Sequence, residues 1–397
     1  MVNIDDEIFL VLKTGIDRLL ETDEVNPNLN WGLLSSNASR TSSGLLTRSA
    51  LVDAGFSIKR LFTPEHGLSA RGTDGAPQAD GTDHITGLPV YSLYGTSLSP
   101  KLDGLDGVIF DLPDIGSRFY TYIWSLSYLM EECAEKGKKL VILDRPNPIS
   151  GRLGLVEGPM LEESVWSSFI GRWSIPIRHS LTVAELANFW RTSKGMQELD
   201  ISFVLCQGWE REMFWSDTGL PFYPPSPAIT APTTLLTYPA LAYLEGLNLS
   251  EGRGTDAPFQ QFGAPWLNPS FVLELLEQYQ MPGATWEQVS FTPVDGRYSG
   301  HECHGLRLRI RDPLQFRPVY TGIVLLAVLY LTHSAEVQQA TYPTWVNPIG
   351  KNHLGLMFGS SALLQALENR PADLFQQAQA YTAAPAWNET VALFLLY

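Results

Sequence analysis

The chain has 397 residues with 44% hydrophobic and 17% charged residues, which is typical of a globular protein with a large core. Its net charge of −15 argues against a nucleic-acid partner, because no basic surface is available to neutralise phosphates. The three cysteines are widely spaced and odd in number, so neither a disulfide framework nor a Cys-x-x-Cys metal site is expected.

The first predicted element is an amphipathic helix over residues 8–20. The residues before it are acidic where an export signal would be basic, so we predict a cytoplasmic location, or a periplasmic or secreted one if the start has been trimmed. The longest apolar stretch, residues 320–331, falls short of the roughly 20 residues that a membrane span needs. No membrane span is therefore predicted.

Strands and helices then alternate along the chain. The predicted strands are 31–35, 57–63, 107–111, 139–143 and 201–205, and the predicted helices are 47–54, 120–137 and 182–194. This alternation predicts an α/β fold with a Rossmann-like, doubly wound, mostly parallel sheet and right-handed crossovers. Because neither Gly-x-Gly-x-x-Gly nor a Walker loop is present, no nucleotide cofactor is expected.

A proline cluster at residues 221–227 is incompatible with a helix or a central strand. We therefore predict a catalytic domain over residues 1–235 and an auxiliary C-terminal α/β domain over residues 236–397. The smaller domain is predicted to contain helices at 269–279 and 320–332 and strands at 289–294 and 302–310.

Side chains that can transfer protons or bind a polar substrate stand at the ends of three predicted strands. They are Glu65 and His66 after the second strand, Asp111 and Asp114 after the third, and Asp144, Arg145 and Asn147 after the fourth. Ligands of open α/β sheets bind outside the carboxyl ends of the strands, so this edge predicts a site. The alternative is local, with Glu65 capping a following helix and His66 filling a turn. A long Gly-, Asp- and Thr-rich segment over residues 65–91 is typical of a functional or mobile loop.

Two chemistries have little support in the residue pattern. Metal-dependent hydrolysis would need close ligands, but His66, His84 and His179 show no metal-ligand spacing, so no metal site is predicted. A Ser-His-Asp triad lacks the Gly-x-Ser-x-Gly turn.

Glycosidic cleavage by carboxylates fits the pattern better. It needs one protonated acid at the leaving oxygen and a second group that supports the oxocarbenium-like centre. Glu65 and Glu157 are the candidates, with Asp114 and Asp144 as competitors. The tyrosines, tryptophans, arginines and asparagines in these segments suit sugar recognition.

Eight short motifs follow one another along the chain. They are Pro64–Gly67, Thr86–Pro89, Ser92–Gly95, Asp111–Tyr122, Asp144–Pro148, Glu157–Gly158, Arg178–Thr182 and Ser250–Thr255. Together they resemble the exo-β-N-acetylmuramidases of the NamZ type, long a family of unknown function. The likeness runs from about residue 31 to residue 267 and continues more weakly to the end of the chain.

The resemblance implies a Rossmann-like domain, a C-terminal auxiliary domain and an active cleft between them. It also implies an enzyme, a glycosidase that releases terminal β-linked N-acetylmuramic acid from the non-reducing end of peptidoglycan fragments. The glutamate of the family's Pro-Glu-His-Gly motif maps onto Glu65, the expected catalytic acid, because an interdomain crevice would raise its pKa. Glu157 is chosen by hypothesis as the second catalytic group.

The same resemblance suggests the substrate-binding side chains. They are His66, Arg71, Tyr94, Asp114, Arg118, Tyr120, Asp144, Arg145, Asn147, His179, Glu251 and Arg253. The arginines are expected to bind the lactyl carboxylate or the peptide stem, because a guanidinium pairs with a carboxylate through two hydrogen bonds. The alternative for each arginine taken singly is a structural salt bridge, which is the commoner role.

Three positions depart from the family pattern. Pro113 stands where relatives have Gln, Ser180 where they have Gly, and Ala228 where they have Asn. Loss of the amide at position 228 removes hydrogen-bonding capacity near the expected substrate. The alternative function is therefore an amino-sugar-binding or cell-wall-fragment-binding protein on the same fold, without catalysis or with altered specificity.

Overall fold

The computed structural model describes residues 12–94, 101–279 and 281–397 of the protein. Within these ranges the first half of the chain builds a seven-stranded sheet. Its strands are β1 (Trp31–Ser35), β2 (Ile58–Thr63), β3 (Gly81–Thr82), β4 (Pro89–Ser92), β5 (Gly107–Asp111), β6 (Lys139–Leu143) and β7 (Ile201–Val204).

The strand order is β3-β4-β2-β1-β5-β6-β7, and every pair except β3–β4 is parallel. Counted along the chain, the six parallel strands have the order 3-2-1-4-5-6 of a doubly wound sheet. The chain changes direction across the sheet between β1 and β5. The predicted fold class is confirmed. The strand order reverses between β1 and β5, and the crevice at the carboxyl ends of these two strands is the topological switch point.

Both faces of the sheet are buried, and this explains the continuous apolar runs in the sequence. Leu33 and Ile109 point to one core cluster, whereas their neighbours Leu34 and Phe110 point to the other. Because successive strand residues face opposite sides, helices must cover the sheet on both. The helices of this half are α1 (Gly15–Leu19), α2 (Thr47–Asp53), α3 (Tyr122–Lys136), α4 (Glu163–Trp166) and α5 (Val183–Ser193).

The second half contains a three-stranded antiparallel sheet of order β8-β10-β9, formed by β8 (Gln261–Ala264), β9 (Ala284–Phe291) and β10 (Cys303–Ile310). Its helices are α6 (Pro232–Leu241), α7 (Pro269–Glu277), α8 (Pro318–Thr332), α9 (His353–Phe358), α10 (Ser361–Asn369), α11 (Pro371–Tyr381) and α12 (Trp387–Val391). The apolar α8 packs against α6 and α11. One hydrophobic cluster runs from the large sheet into this half, and the division at residues 235/236 stays a prediction.

The end of the chain returns to the first sheet. Tyr397 donates a hydrogen bond from its hydroxyl to Asp144 Oδ2 at 2.8 Å. Trp387 Nε1 donates to the carbonyl oxygen of His179 at 2.9 Å. These contacts hold the last residues of the chain against the segments that follow β6. The end of the second half therefore packs against the first half.

Local signals explain both the confirmed and the missed elements. Thr182 and Glu185 form the predicted capping box at the start of α5, and each side chain accepts from the backbone N–H of the other residue. The predicted helix at 8–20 is correct only for Gly15–Leu19. Lys13 pairs with Gln207 in a β-bridge, and residues 8–11 lie outside the described ranges.

Several short elements were not predicted. β4 contains a proline and β8 is a four-residue segment with a glycine, so neither has the alternating pattern that identifies a strand. The strand expected at 289–294 occupies Ala284–Phe291. The antiparallel sheet and the helices α9 to α12 place the second half in the expected α/β class without having been individually predicted.

Candidate active site

Glu65 lies at the carboxyl end of β2, where the chain leaves the sheet. The strand ends at Thr63, and Pro64 follows it with no N–H to continue the ladder. Glu65 is 8% exposed. Its Oε1 atom accepts a hydrogen bond from Gly75 N at 2.7 Å, and Oε2 accepts one from the Thr121 hydroxyl at 2.8 Å. Both carboxyl oxygens are therefore held in place.

The surroundings of Glu65 favour its protonated form. Burial raises the pKa of the Glu65 carboxyl above its ordinary value, and the nearby Asp74 carboxylate raises it further. His66 and the hydrogen bonds from Thr121 and Gly75 act in the opposite direction because they stabilise the ionised form. The net effect is a raised pKa, as a general acid requires.

Asp74 is a second carboxylate beside Glu65, and it belongs to an ion-pair cluster around Arg253. The Arg253 guanidinium pairs with Asp74, with Glu245 at 2.5 Å and with Glu251 at 3.0 Å. Glu245, Glu251 and Arg253 belong to the second half of the chain. The ion pair of Arg253 with Asp74 therefore holds the loop that contains Asp74 against that second half.

Backbone contacts fix the same loop. Gly75 has a φ of +65°, and a Cβ atom there would lie 2.7 Å from Thr344 Cγ2. Only glycine combines this conformation with so close an approach. The carbonyl oxygen of Gly75 also accepts a hydrogen bond from Trp345 N at 2.7 Å. The segment predicted as a functional or mobile loop is thus anchored at its centre.

We call the pocket around these carboxylates the Glu65 cleft. It encloses about 630 Å³, counting its open mouth. Its lining residues are Glu65, His66, Asp74, Tyr94, Phe119, Tyr120, Thr121, Phe169, Ile170, Ser226, Ala228, Tyr238, Glu245, Arg253, Phe259, Tyr342, Thr344, Val346, His353 and Met357. Both halves of the chain therefore contribute to one cleft.

Aromatic rings form much of the wall of the Glu65 cleft. The rings of Tyr94 and Phe169 are 5.2 Å apart, and Phe119 lies 5.5 Å from Tyr238. Tyr120 meets Tyr238 edge-on at 6.3 Å. Aromatic faces next to carboxylates suit a sugar ring, whose C–H face packs on the ring while its hydroxyl groups donate hydrogen bonds.

The Glu65 cleft contains five of the residues named from the sequence: Glu65, His66, Tyr94, Tyr120 and Arg253. Glu251 lies behind them as a partner of Arg253. The residues that sequence reasoning did not name as site residues include Asp74, Thr121, Glu245, Tyr342 and His353. Asp74 lies in the long Gly-rich segment and Thr121 in the motif Asp111–Tyr122, and these were the available signals. Tyr342 and His353 lie in none of the motifs identified in the sequence.

The structure does not bring Glu157 to Glu65. Glu157 lines a separate pocket with Arg317 and Tyr320, and its Oε1 atom accepts a hydrogen bond from Tyr320 N at 3.0 Å. Its Oε2 atom lies 3.8 Å from Arg178 Nη1. Burial raises the pKa of Glu157 to about 7, against the opposing effect of Arg178. The proposed pairing of Glu65 with Glu157 therefore has no geometric support.

Asp114 and Arg145 line a different cleft, on the other side of the motif that contains Tyr120. Arg145 binds both carboxylate oxygens of Asp111. His179 is fully buried, and its Nε2 atom lies 3.1 Å from Asp114 Oδ2 while Nδ1 accepts a hydrogen bond from Leu181 N at 3.2 Å. These residues do not meet the Glu65 carboxyl group.

Arg118 is fully buried, and both of its terminal guanidinium nitrogens donate to backbone oxygens. It donates hydrogen bonds to carbonyl groups on both halves of the chain, those of Pro159, Ile175, Met357 and Phe358. Burial lowers the pKa of its guanidinium to about 10. Arg118 therefore links the two halves of the chain, and it lines neither the Glu65 cleft nor the cleft that contains Asp114.

Asp144 and Asn147 are likewise buried in the loop after β6. Asp144 Oδ1 accepts from Ala184 N at 3.0 Å, and burial raises the pKa of this carboxyl to about 6. Asn147 donates to the carbonyl oxygen of Leu181 at 2.9 Å. Arg71 lies exposed on the loop after Glu65. None of these three lines the Glu65 cleft.

Across the residues that the structure describes, no group of three or more His, Cys, Asp or Glu side chains is arranged to hold a metal ion. No helix in the described ranges has the length and apolar character needed to cross a membrane.

Two family models match nearly the whole chain. The model described as "Exo-beta-N-acetylmuramidase NamZ, N-terminal" matches residues 31–233, and its C-terminal counterpart matches residues 236–397. The chain belongs to the NamZ family of exo-β-N-acetylmuramidases. The family predicted from the motifs is confirmed, and with it the prediction of a glycosidase.

Individual relatives agree with this NamZ assignment. The chain is 36% identical to the peptidoglycan β-N-acetylmuramidase NamZ of Bacillus subtilis (strain 168) over 324 residues, which cover 80% of this chain and 77% of the relative. A crystal structure of a DUF1343 family protein from Bacteroides fragilis NCTC 9343 is 26% identical, with a TM-score of 0.84 over 98% of this chain and 99% of the other.

A second DUF1343 family protein from the same organism has a similar fold. It is 23% identical to this chain and superposes with a TM-score of 0.73 over 97% of this chain and 99% of the other.

Proposed function

We propose that this protein releases terminal β-linked N-acetylmuramic acid from the non-reducing end of peptidoglycan fragments, and that the Glu65 cleft is its active site. The observation that carries the proposal is the buried Glu65 carboxyl beside Asp74, in a cleft walled by aromatic rings. The name of the B. subtilis relative, a peptidoglycan β-N-acetylmuramidase, supports the substrate class.

Glu65 acts in this proposal as the general acid. Its pKa is raised, mainly by burial, which favours the protonated carboxyl group that can donate a proton to the leaving oxygen. The Gly75 N–H and the Thr121 hydroxyl hold the two carboxyl oxygens in fixed positions. Holding the acid in place lowers the cost of reaching the reactive geometry.

Asp74 replaces Glu157 as the proposed second carboxylate. It lines the same cleft as Glu65, whereas Glu157 lines another pocket. Paired with Arg253, Asp74 carries the negative charge that can stabilise an oxocarbenium-like centre or orient a water molecule. The two carboxylates thus have different surroundings, one desolvated and one ion-paired, as an acid and a charged partner require.

Arg253 has a different role from the one first expected. Three carboxylates already surround its guanidinium, those of Asp74, Glu245 and Glu251. We therefore assign Arg253 to positioning Asp74 rather than to binding the lactyl carboxylate. His66 and the aromatic walls formed by Tyr94 and its neighbours remain the proposed contacts with the sugar.

Hydrolysis of 4-methylumbelliferyl β-N-acetylmuraminide tests the function. We expect release of the fluorescent aglycone from the muraminide and little from the matching β-N-acetylglucosaminide, which lacks the lactyl ether. A disaccharide with N-acetylmuramic acid at its non-reducing end should release the free monosaccharide. Binding of that disaccharide in calorimetry without any turnover would reject the enzyme and support the non-catalytic amino-sugar-binding protein.

A further inference from the structure

A second cleft lies at the topological switch point of the large sheet. It is lined by residues that follow β1, β5 and β6, among them Arg40, Asp114 and Arg145, and by the aromatic residues Trp215 and Phe222. It encloses about 580 Å³, counting its open mouth. Open α/β sheets bind ligands in the crevice where the strand order reverses, and here that crevice lies between β1 and β5. We call it the switch-point cleft.

The switch-point cleft is distinct from the Glu65 cleft. The two have no lining residue in common. The segment Pro225–Ala228 separates them, with Pro225 on one side and Ser226 and Ala228 on the other. The Tyr122 hydroxyl donates a hydrogen bond to the carbonyl oxygen of Pro225 at 2.5 Å and fixes this partition.

One lining residue of the switch-point cleft, Asp114, has a carboxylate oxygen without a hydrogen-bond partner among the described residues. Asp114 is 6% exposed, and its Oδ2 atom accepts from Gly116 N at 2.8 Å and contacts His179 Nε2 at 3.1 Å. Its Oδ1 atom is buried and has no hydrogen-bond partner among the described residues. A buried carboxylate oxygen without a partner is costly, so a ligand that donates a hydrogen bond to it gains affinity.

The cleft also has one cation with no carboxylate partner among the described residues. Arg145 is neutralised by Asp111. Arg40 instead donates to the carbonyl oxygens of Asn37 and Gly44 at 2.9 and 2.8 Å, and its guanidinium stacks over the Tyr223 ring at 4.5 Å. Arg40 therefore has no ion-pair partner among the described residues, so its guanidinium can pair with an anionic group on the ligand.

Aromatic side chains complete the cleft. Trp215, Phe222 and Tyr223 are each half-buried and line it. The Trp215 and Phe222 rings meet edge-on with centroids 5.7 Å apart. Half-exposed rings in a cleft suit the apolar face of a pyranose, while the ring hydroxyl groups reach polar atoms at the edge.

We propose that the switch-point cleft binds a pyranose sugar that carries a carboxylate. In this arrangement the ring packs on Trp215 and Phe222, a hydroxyl group donates to Asp114 Oδ1, and the carboxylate pairs with Arg40. The inference does not depend on hydrolysis at Glu65. The ligand has two possible sources, a released acidic monosaccharide or an acidic residue still linked in a sugar chain.

Calorimetric titration with N-acetylmuramic acid tests the proposal. We expect a binding event that Glu65→Gln leaves in place and that Phe222→Ala weakens by about tenfold through loss of ring packing. Asp114→Asn should weaken the same event by about tenfold, because an amide can keep the Gly116 contact while turning a donor toward the ligand. N-acetylglucosamine, which has no carboxylate, should bind this site more weakly.

Circular dichroism and thermal melting of each variant establish that it is folded. A binding profile that neither Phe222→Ala nor Asp114→Asn changes in a folded protein would overturn the proposal, whether or not the protein hydrolyses muraminides. Titration of the Glu65→Gln variant, with and without Phe222→Ala, with the linked disaccharide distinguishes the sources: binding that Phe222→Ala weakens indicates a chain residue, and binding that it leaves unchanged indicates a released sugar.

Discussion

Two buried glutamates in this protein have raised pKa values and different surroundings. Glu65 and Glu157 are both less than 10% exposed, and burial is the main cause of both shifts. Glu65 faces a cleft with a second carboxylate and aromatic walls, whereas Glu157 accepts a backbone N–H from Tyr320 and lies near Arg178. Among the described residues that line the Glu157 pocket there is no second carboxylate.

Burial alone raises the pKa of a carboxyl group but does not make it catalytic. A raised pKa makes a carboxyl group a candidate acid, but it becomes a catalyst only if the substrate can reach it and a partner stabilises the developing charge. In our proposal Glu65 meets these conditions. Glu157, in the segment between β6 and α4, instead accepts a hydrogen bond from Tyr320 N in the first turn of α8. The difference can be tested by changing the two glutamates in the same way.

The largest expected effect is on activity in the matched pair Glu65→Gln and Glu157→Gln. Loss of the general acid should lower kcat on a muraminide with an unactivated leaving group by about a thousandfold or more. Glu157→Gln should keep activity within a few-fold at a temperature where it is folded. Equal losses of kcat in the two folded variants would show that Glu65 and Glu157 do not differ in their role.

Asp74→Asn should lower kcat by about a hundredfold, because the amide cannot supply the negative charge that we assign to Asp74. The change also removes a carboxylate that raises the pKa of Glu65. Since the acid then ionises at a lower pH, the alkaline limb of the pH–activity profile should move toward lower pH. An alkaline limb that stays in place would show that Asp74 does not act on Glu65.

Glu157→Gln should change how stability depends on pH. Below the ordinary glutamate pKa of 4.5 both the folded and the unfolded state are protonated, and between 4.5 and about 7 only the unfolded state ionises. Ionisation of the unfolded state lowers the free energy of unfolding by about 3 kcal/mol as pH rises through this window. Denaturant titrations from pH 4 to pH 8 should show a flatter profile for the variant.

Thr121→Val removes the hydroxyl that donates to Glu65 Oε2 while keeping the shape of the side chain. We expect kcat to fall by about tenfold, because the acid is less well positioned. That hydroxyl lowers the pKa of Glu65, so its loss should move the alkaline limb toward higher pH, opposite to Asp74→Asn. Shifts of the two variants in the same direction would contradict the assigned contacts.

The smallest expected effect is on stability at Ser180, where relatives are expected to have Gly. Ser180 has a φ of +56°, and its buried hydroxyl has no hydrogen-bond partner in the described part of the chain. Ser180→Gly should therefore raise the free energy of unfolding by about 1 kcal/mol, since it removes the strain and the unsatisfied group. Thermal melting measures this, and a lower melting temperature would contradict it.

Local patterns predicted much of the first sheet. The apolar runs of β1, β5 and β6 are continuous because these strands are buried on both faces, and the capping box at Thr182 marks the start of α5. β4 and β8 were missed because they are short and contain proline or glycine. Their pairing depends on neighbours far along the chain, which a window of sequence does not include.

The sequence by itself determined the doubly wound fold, the family and the position of Glu65 at a strand end, because periodicity and turn residues are local properties. Only the tertiary structure decided that Asp74 joins Glu65, that Glu157 lies in another pocket and that Asp114 and Arg145 line a separate cleft. The physical reason is that the partners of a buried charge are set by how distant segments pack. Arg253 and Tyr342 reach the site only when the second half of the chain folds against the first.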